Sequence, residues 1–330
     1  MMQHPAVIAL LCSSFLISLM LLYAGWCGSR ILLKWDMESG SSLQLILERR
    51  TYLVSTIQAY ALTFQILSLF LFIFTADALH TQFVGAMCAA GSLQVNAYGY
   101  PTLILKLVNC LLAGVWLIIN HTDNRGYDYP LIKAKYTLLI AMVPLVYMET
   151  VLQVGYFSGL HVDVITSCCG SQFSQGAKNF AGDLAALPAA PMKTAFFSAM
   201  AITGMSGIFF MTKGKGSYLF SFASCLTFII AIASLISFIC LYFYELPTHH
   251  CPFCILQKEY GYVGYILYAC LLVGGITGAG CGTLTPFRSR RSLTTIIPSI
   301  QRRLAAVTMT CYTLFTLIVA YRMLTTSFRI

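Results

Sequence analysis

The residues best able to do chemistry in this chain are its cysteines, and they sort by position. Of the 13 cysteines, Cys12, Cys110, Cys225, Cys240, Cys270, Cys281 and Cys311 fall in apolar stretches, where a thiol packs as a small hydrophobe. Cys27 lies beside the first basic segment. The remaining five, Cys88, Cys168, Cys169, Cys251 and Cys254, stand in three hydrophilic segments that also hold His80, His161, His249 and His250. Cys251-Pro252-Phe253-Cys254 has the CxxC spacing of a reversible disulfide. If a helix begins there, its amides and dipole favour a thiolate, the species that attacks a partner disulfide. Three chemistries fit these residue types: thiol–disulfide exchange, a static structural disulfide, and a Cys/His site for zinc or copper. A bond between the vicinal Cys168 and Cys169 would close an unusually tight ring, so Cys88 is expected to pair with one of them.

The elements that must position these residues are membrane helices. Hydrophobic residues make up 58% of the 330 and charged residues only 9%, against about 25% charged in an ordinary soluble domain. Mean hydropathy is +0.78. The expected fold is all-α: a polytopic bundle of about eight transmembrane helices near residues 6–26, 53–76, 102–119, 137–157, 195–212, 218–243, 262–283 and 304–323. The first run has no basic residue before it and is read as a spanning helix, not a cleaved leader.

Formal charge is +9, but its distribution argues for orientation and against nucleic-acid binding. Basic residues collect between alternate helices, at Arg30, Lys34, Arg49 and Arg50, at Arg125, Lys133 and Lys135, at Lys213 and Lys215, and from Arg288 to Arg303. The positive-inside rule makes these segments cytoplasmic. Both termini and the cysteine-bearing loops are then extracytoplasmic. Two charges fall inside helices, Lys106 and Glu149, at depths that allow them to pair, with Asn109 nearly one turn from Lys106. They form either a structural ion pair or a polar wall for a proton or cofactor. Gly274, Gly278 and Gly282 make a small-residue stripe, the ordinary signature of close helix packing.

The segment from Cys251 through Gln257, Lys258 and Glu259 resembles the active-site segment of membrane thiol oxidoreductases of the vitamin K epoxide reductase and DsbB type. The resemblance covers about residues 137–283. It implies a four-helix redox unit there, preceded by three N-terminal helices in 1–136 and followed by a basic inner loop and one helix in 284–330. It further implies a quinone facing Cys251 and Cys254, Lys258 beside that quinone, and a loop cysteine pair drawn from Cys88, Cys168 and Cys169. Lys106 and Glu149 are candidates for the quinone's polar surroundings. The implied partner is an extracytoplasmic thioredoxin-like protein, and the implied location a bacterial inner membrane. The competing expectation is a non-enzymatic protein, either one that binds zinc or copper or a structural subunit within a membrane complex. The vicinal Cys168-Cys169 and the extra N-terminal helices depart from the family pattern.

Overall fold

A chain confined to lipid must satisfy its backbone within each segment, which leaves helices or closed barrels. This chain takes the first route. The computed structural model describes residues 2–36, 41–161, 164–166, 173 and 180–328, and contains no β-strand among them. Among the described residues, eight helices are long and apolar enough to cross a membrane. They are α1 (Pro5–Lys34), α2 (Ser42–Leu79), α3 (Gly99–Asp123), α4 (Ile132–Ser158), α5 (Ala189–Lys213), α6 (Ser217–Ser234), α7 (Val263–Leu284) and α8 (Ile296–Thr325). Several run past the apolar cores read from sequence. Arg30 and Lys34 ride on the last turns of α1, and Arg49 and Arg50 on the first turns of α2. Long basic side chains at helix ends can reach the headgroup zone without unwinding the backbone.

Helix α2 inverts the pattern of a soluble one. On α2, Gln58, Leu62, Gln65, Leu69 and Phe72 recur at three- and four-residue intervals and are buried, whereas Tyr60, Phe64 and Leu67 are exposed. The polar side chains point inward and large apolar ones outward, as a lipid solvent requires.

The helices form two compact units. The first comprises Met1–Thr75, Asn96–Leu160 and Pro286–Ile300. In it α4 packs against both α1 and α3, around Ile17, Leu21, Trp116, Tyr136, Leu139 and Met142. Two ion pairs are buried inside it. Lys106 Nζ meets Glu149 Oε1 at 2.8 Å, and Lys135 Nζ meets Asp123 Oδ2 at 2.6 Å. Lys135 is therefore a buried residue of α4 and not a loop cation of the inner segment. Its charge is matched by Asp123, whose other oxygen accepts the Leu131 amide at 2.8 Å.

The second unit comprises Ala76–Val95, His161–Thr285 and Gln301–Ile330. Helix α6 packs against α5 and α7. The turn from α5 to α6 passes through Gly214 and Gly216 at φ +65° and +85°, a region open to glycine at no steric cost. Helix α6 does not end at Ser234. It continues through a π-helical turn, Leu235–Ile239, into a last helical turn, Cys240–Tyr244.

Candidate metal centre

Three cysteines from two distant parts of the sequence meet inside the second unit. The sulfurs of Cys88, Cys251 and Cys254 all lie within 4.8 Å of one another, and all three residues are buried. Cys88 Sγ and Cys251 Sγ are 3.5 Å apart, well beyond a disulfide bond of about 2.05 Å. Cys88 is thus packed against Cys251. Cys168 and Cys169, its expected partners, lie outside the described residues.

Cys88 sits in extended conformation just before the short helix Ala89–Leu93. Asp77, near the end of α2, fixes that junction: its Oδ1 accepts the Ala89 amide at 3.1 Å and Gln257 Nε2 at 3.2 Å. Gln257 Nε2 also donates to the Met87 carbonyl at 2.9 Å. One amide group, three residues after Cys254, therefore ties the CxxC segment to the residue before Cys88. Nearby, the Thr166 amide donates to the Val84 carbonyl at 3.0 Å, which holds the 164–166 segment against the same loop.

The CxxC itself is not the start of a spanning helix. Phe253 leads into two short 3₁₀ turns, Cys254–Leu256 and Lys258–Tyr260, and α7 begins only at Val263 after Gly261 and Tyr262 in left-handed conformation. Activation of a thiolate by the α7 N-terminus is accordingly not available to these cysteines. Two tyrosines take over the positioning. Tyr244 donates its hydroxyl to the Cys251 carbonyl and Tyr268 to the Pro252 carbonyl, both at 2.5 Å. His250 is buried, and its Nδ1 donates to the Ile236 carbonyl at 2.8 Å, within the π turn of α6. His249 is half-buried, stacks edge-on against Tyr244 with ring centroids 4.6 Å apart, and places Nε2 at 3.3 Å from Cys254 Sγ.

The other residues singled out from sequence are not members of this three-cysteine group. Lys258 is exposed in its 3₁₀ turn. His161 is exposed, and His80 Nδ1 donates to the Asp77 carbonyl. Lys106 and Glu149 belong to the first unit, where Glu149 Oε2 accepts Gln65 Nε2 at 2.6 Å and Asn109 Nδ2 at 2.7 Å, and Lys106 also donates to Ser68 Oγ at 3.2 Å. Sequence reasoning missed Asp77, Gln257 and the two tyrosines as positioning groups. The only sequence signal for Gln257 was its place inside the quoted CxxC segment.

A buried group of three thiols has two uses. Soft sulfur donors hold zinc or copper(I), and neighbouring thiols can exchange electrons through a disulfide. Two sulfurs of a tetrahedral zinc site, with Zn–S near 2.3 Å, stand about 3.8 Å apart. The Cys88–Cys251 spacing of 3.5 Å is close to that edge, and the other two are no longer than 4.8 Å.

No family model, no curated protein and no solved structure matches this chain. Fold and site nonetheless define a class: an all-α polytopic membrane protein with a clustered cysteine triad, metal- or redox-competent, within the broad group of thiol-bearing membrane proteins. The likeness to quinone-linked thiol oxidoreductases rests on the segment Cys251 to Glu259.

Proposed function

We propose that the protein binds a thiophilic metal ion, zinc or copper(I), through Cys88, Cys251 and Cys254, and that it is a metal-handling component of its membrane and not a quinone reductase. The observation carrying this reading is the convergence of three buried sulfurs within 4.8 Å. Three thiols are one more than a dithiol–disulfide cycle uses, and their mutual distances suit ligands around one ion. Burial excludes competing water and raises the cost of leaving the thiolates without a cation. The cysteine loops would face the extracytoplasmic side, following the basic inner segments.

Metal content of the purified full-length protein tests the reading. The wild type is expected to retain about one zinc or copper per chain after chelator washing. Cys88→Ser, Cys251→Ser and Cys254→Ser should each abolish retention. A metal-free wild type that also fails to take up added zinc or copper(I) would remove this function.

A second reading, thiol exchange, is favoured by the 3.5 Å approach of Cys88 and Cys251. A disulfide between them, or between Cys251 and Cys254, would leave the third thiol in place to resolve it. Quinone and a thioredoxin-like partner belong to this reading. Differential alkylation separates the two: protection reversed by chelator indicates metal, and protection reversed only by reductant indicates a disulfide.

A further inference from the structure

We infer that His249 is the fourth ligand of the cysteine centre, making it a closed Cys3His zinc site, and that its imidazole is the gate through which the ion exchanges. This inference rests on the metal-binding reading above and specifies its ion, its coordination and its route of exchange.

The geometry supplies the first argument. His249 Nε2 already stands 3.3 Å from Cys254 Sγ, and nitrogen and sulfur ligands on one tetrahedral zinc ion are about 3.6 Å apart. Nε2 is not within common reach of all three sulfurs, since the mutually close group comprises the cysteines alone. The ring is half-buried, beside cysteines that are themselves buried. Closing the site requires this side chain to turn, while the backbone stays tied at Cys251 by Tyr244, at Pro252 by Tyr268 and at Met87 by Gln257.

Charge supplies the second. Three thiolates with zinc(II) leave one net negative charge, and three thiolates with copper(I) leave two. The centre is buried, and uncompensated charge in such a place is costly. A neutral imidazole completes the zinc tetrahedron and adds no further charge. Copper(I), content with three thiolates in a plane, would make no use of His249.

The third argument concerns access. Cys88 and Cys251 are fully buried and Cys254 is 5% exposed. Among the described residues, His249 reaches both a sulfur of the centre and solvent. A closed four-ligand zinc site has no open position for substrate water, so this centre stores or stabilises its ion and does not use it for hydrolysis.

Cobalt(II) is the probe, added to the purified, chelator-stripped full-length protein. The wild type should show thiolate-to-cobalt charge transfer together with the intense visible bands of four-coordinate cobalt. His249→Ala should keep the charge-transfer bands, lose most of the visible intensity as water raises the coordination number, and release cobalt to a chelator about tenfold faster or more. His249→Cys should restore the four-coordinate spectrum, which guards against a folding defect in the alanine variant. An unchanged spectrum and release rate in His249→Ala would overturn the inference while leaving the three-cysteine site intact. So would copper, and not zinc, in the protein as isolated. Absence of any cobalt charge transfer in the wild type would instead strike the metal-binding reading itself.

Discussion

At Glu149 three donors converge on one carboxylate: Lys106 on Oε1, and Gln65 and Asn109 on Oε2. Both charged side chains are essentially inaccessible. Removing one member of such a pair strands the other in a poorly solvated place, at a cost of about 3–5 kcal/mol, whereas removing both can be nearly neutral. Lys106→Met and Glu149→Gln should each lower thermal stability sharply, and the double variant should recover much of the loss. Strictly additive melting shifts would refute the coupling. The pairing was legible because both residues sit at matching depth in apolar runs. Gln65 was not, because one glutamine in an apolar helix carries no sign of its partner. The same holds around the cysteines, where Gln257→Ala removes the link to Met87 and Asp77 but no sulfur. Loss of a group that orients ligands typically costs 10–100-fold in metal affinity. Zinc or copper retention by Gln257→Ala should fall by about that factor, and an unchanged affinity would show that the two segments hold their spacing without it.

The packing of α7 turns on glycines. A Cβ at Gly278 would lie 1.9 Å from Ser224 Oγ and 2.5 Å from Ser224 Cβ, and one at Gly274 would lie 2.3 Å from the Tyr312 ring. At both positions a neighbour must shift to make room. Overpacking of this kind costs about 1–3 kcal/mol, so Gly278→Ala should lower the melting temperature measurably. Gly204→Ala on α5 is the control, since nothing lies within 4 Å of its Cβ position; equal destabilisation by both would deny the stripe its packing role. The stripe was readable from spacing alone, because close approach selects small residues at one-turn intervals. The start of α7 was readable too: the expected span 262–283 begins one residue before Val263, because Gln257, Lys258 and Glu259 interrupt the apolar pattern after the cysteines. What the spacing did not show is that Cys254–Leu256 and Lys258–Tyr260 wind as 3₁₀ turns ahead of the left-handed Gly261 and Tyr262.

At the scale of the molecule, hydropathy was the most legible property, because lipid-facing surface must be apolar whatever the fold's details. All eight expected spans are present as long apolar helices. How they group was hidden, since each compact unit is assembled from three discontinuous segments, and contacts between distant segments leave no trace in local composition. An even number of crossings returns the chain to the side from which it started. Combined with the basic segments, this leads us to propose that both termini lie outside. Membrane-impermeant reagents on sealed cells should label tags at the two ends and spare a tag within 288–303. Labelling of that basic stretch would reverse the orientation and move the cysteine triad to the other face.

The π turn at Leu235–Ile239 has a consequence for insertions and deletions. A π turn is a helix carrying one residue more than its rise requires, so deleting one residue within it lets the stretch wind as ordinary α-helix while both flanks keep their register. The carbonyl of Ile236 would then be re-aimed as the turn tightens, disturbing the bond it accepts from His250 with every cysteine still present. A second deletion would swing Cys240–Tyr244, and with it the tyrosine that holds Cys251, by about 100°. Chain length in this short stretch thus acts as a tuning parameter for a centre that lies beyond it in sequence. One deletion should weaken metal retention, and two should erase it.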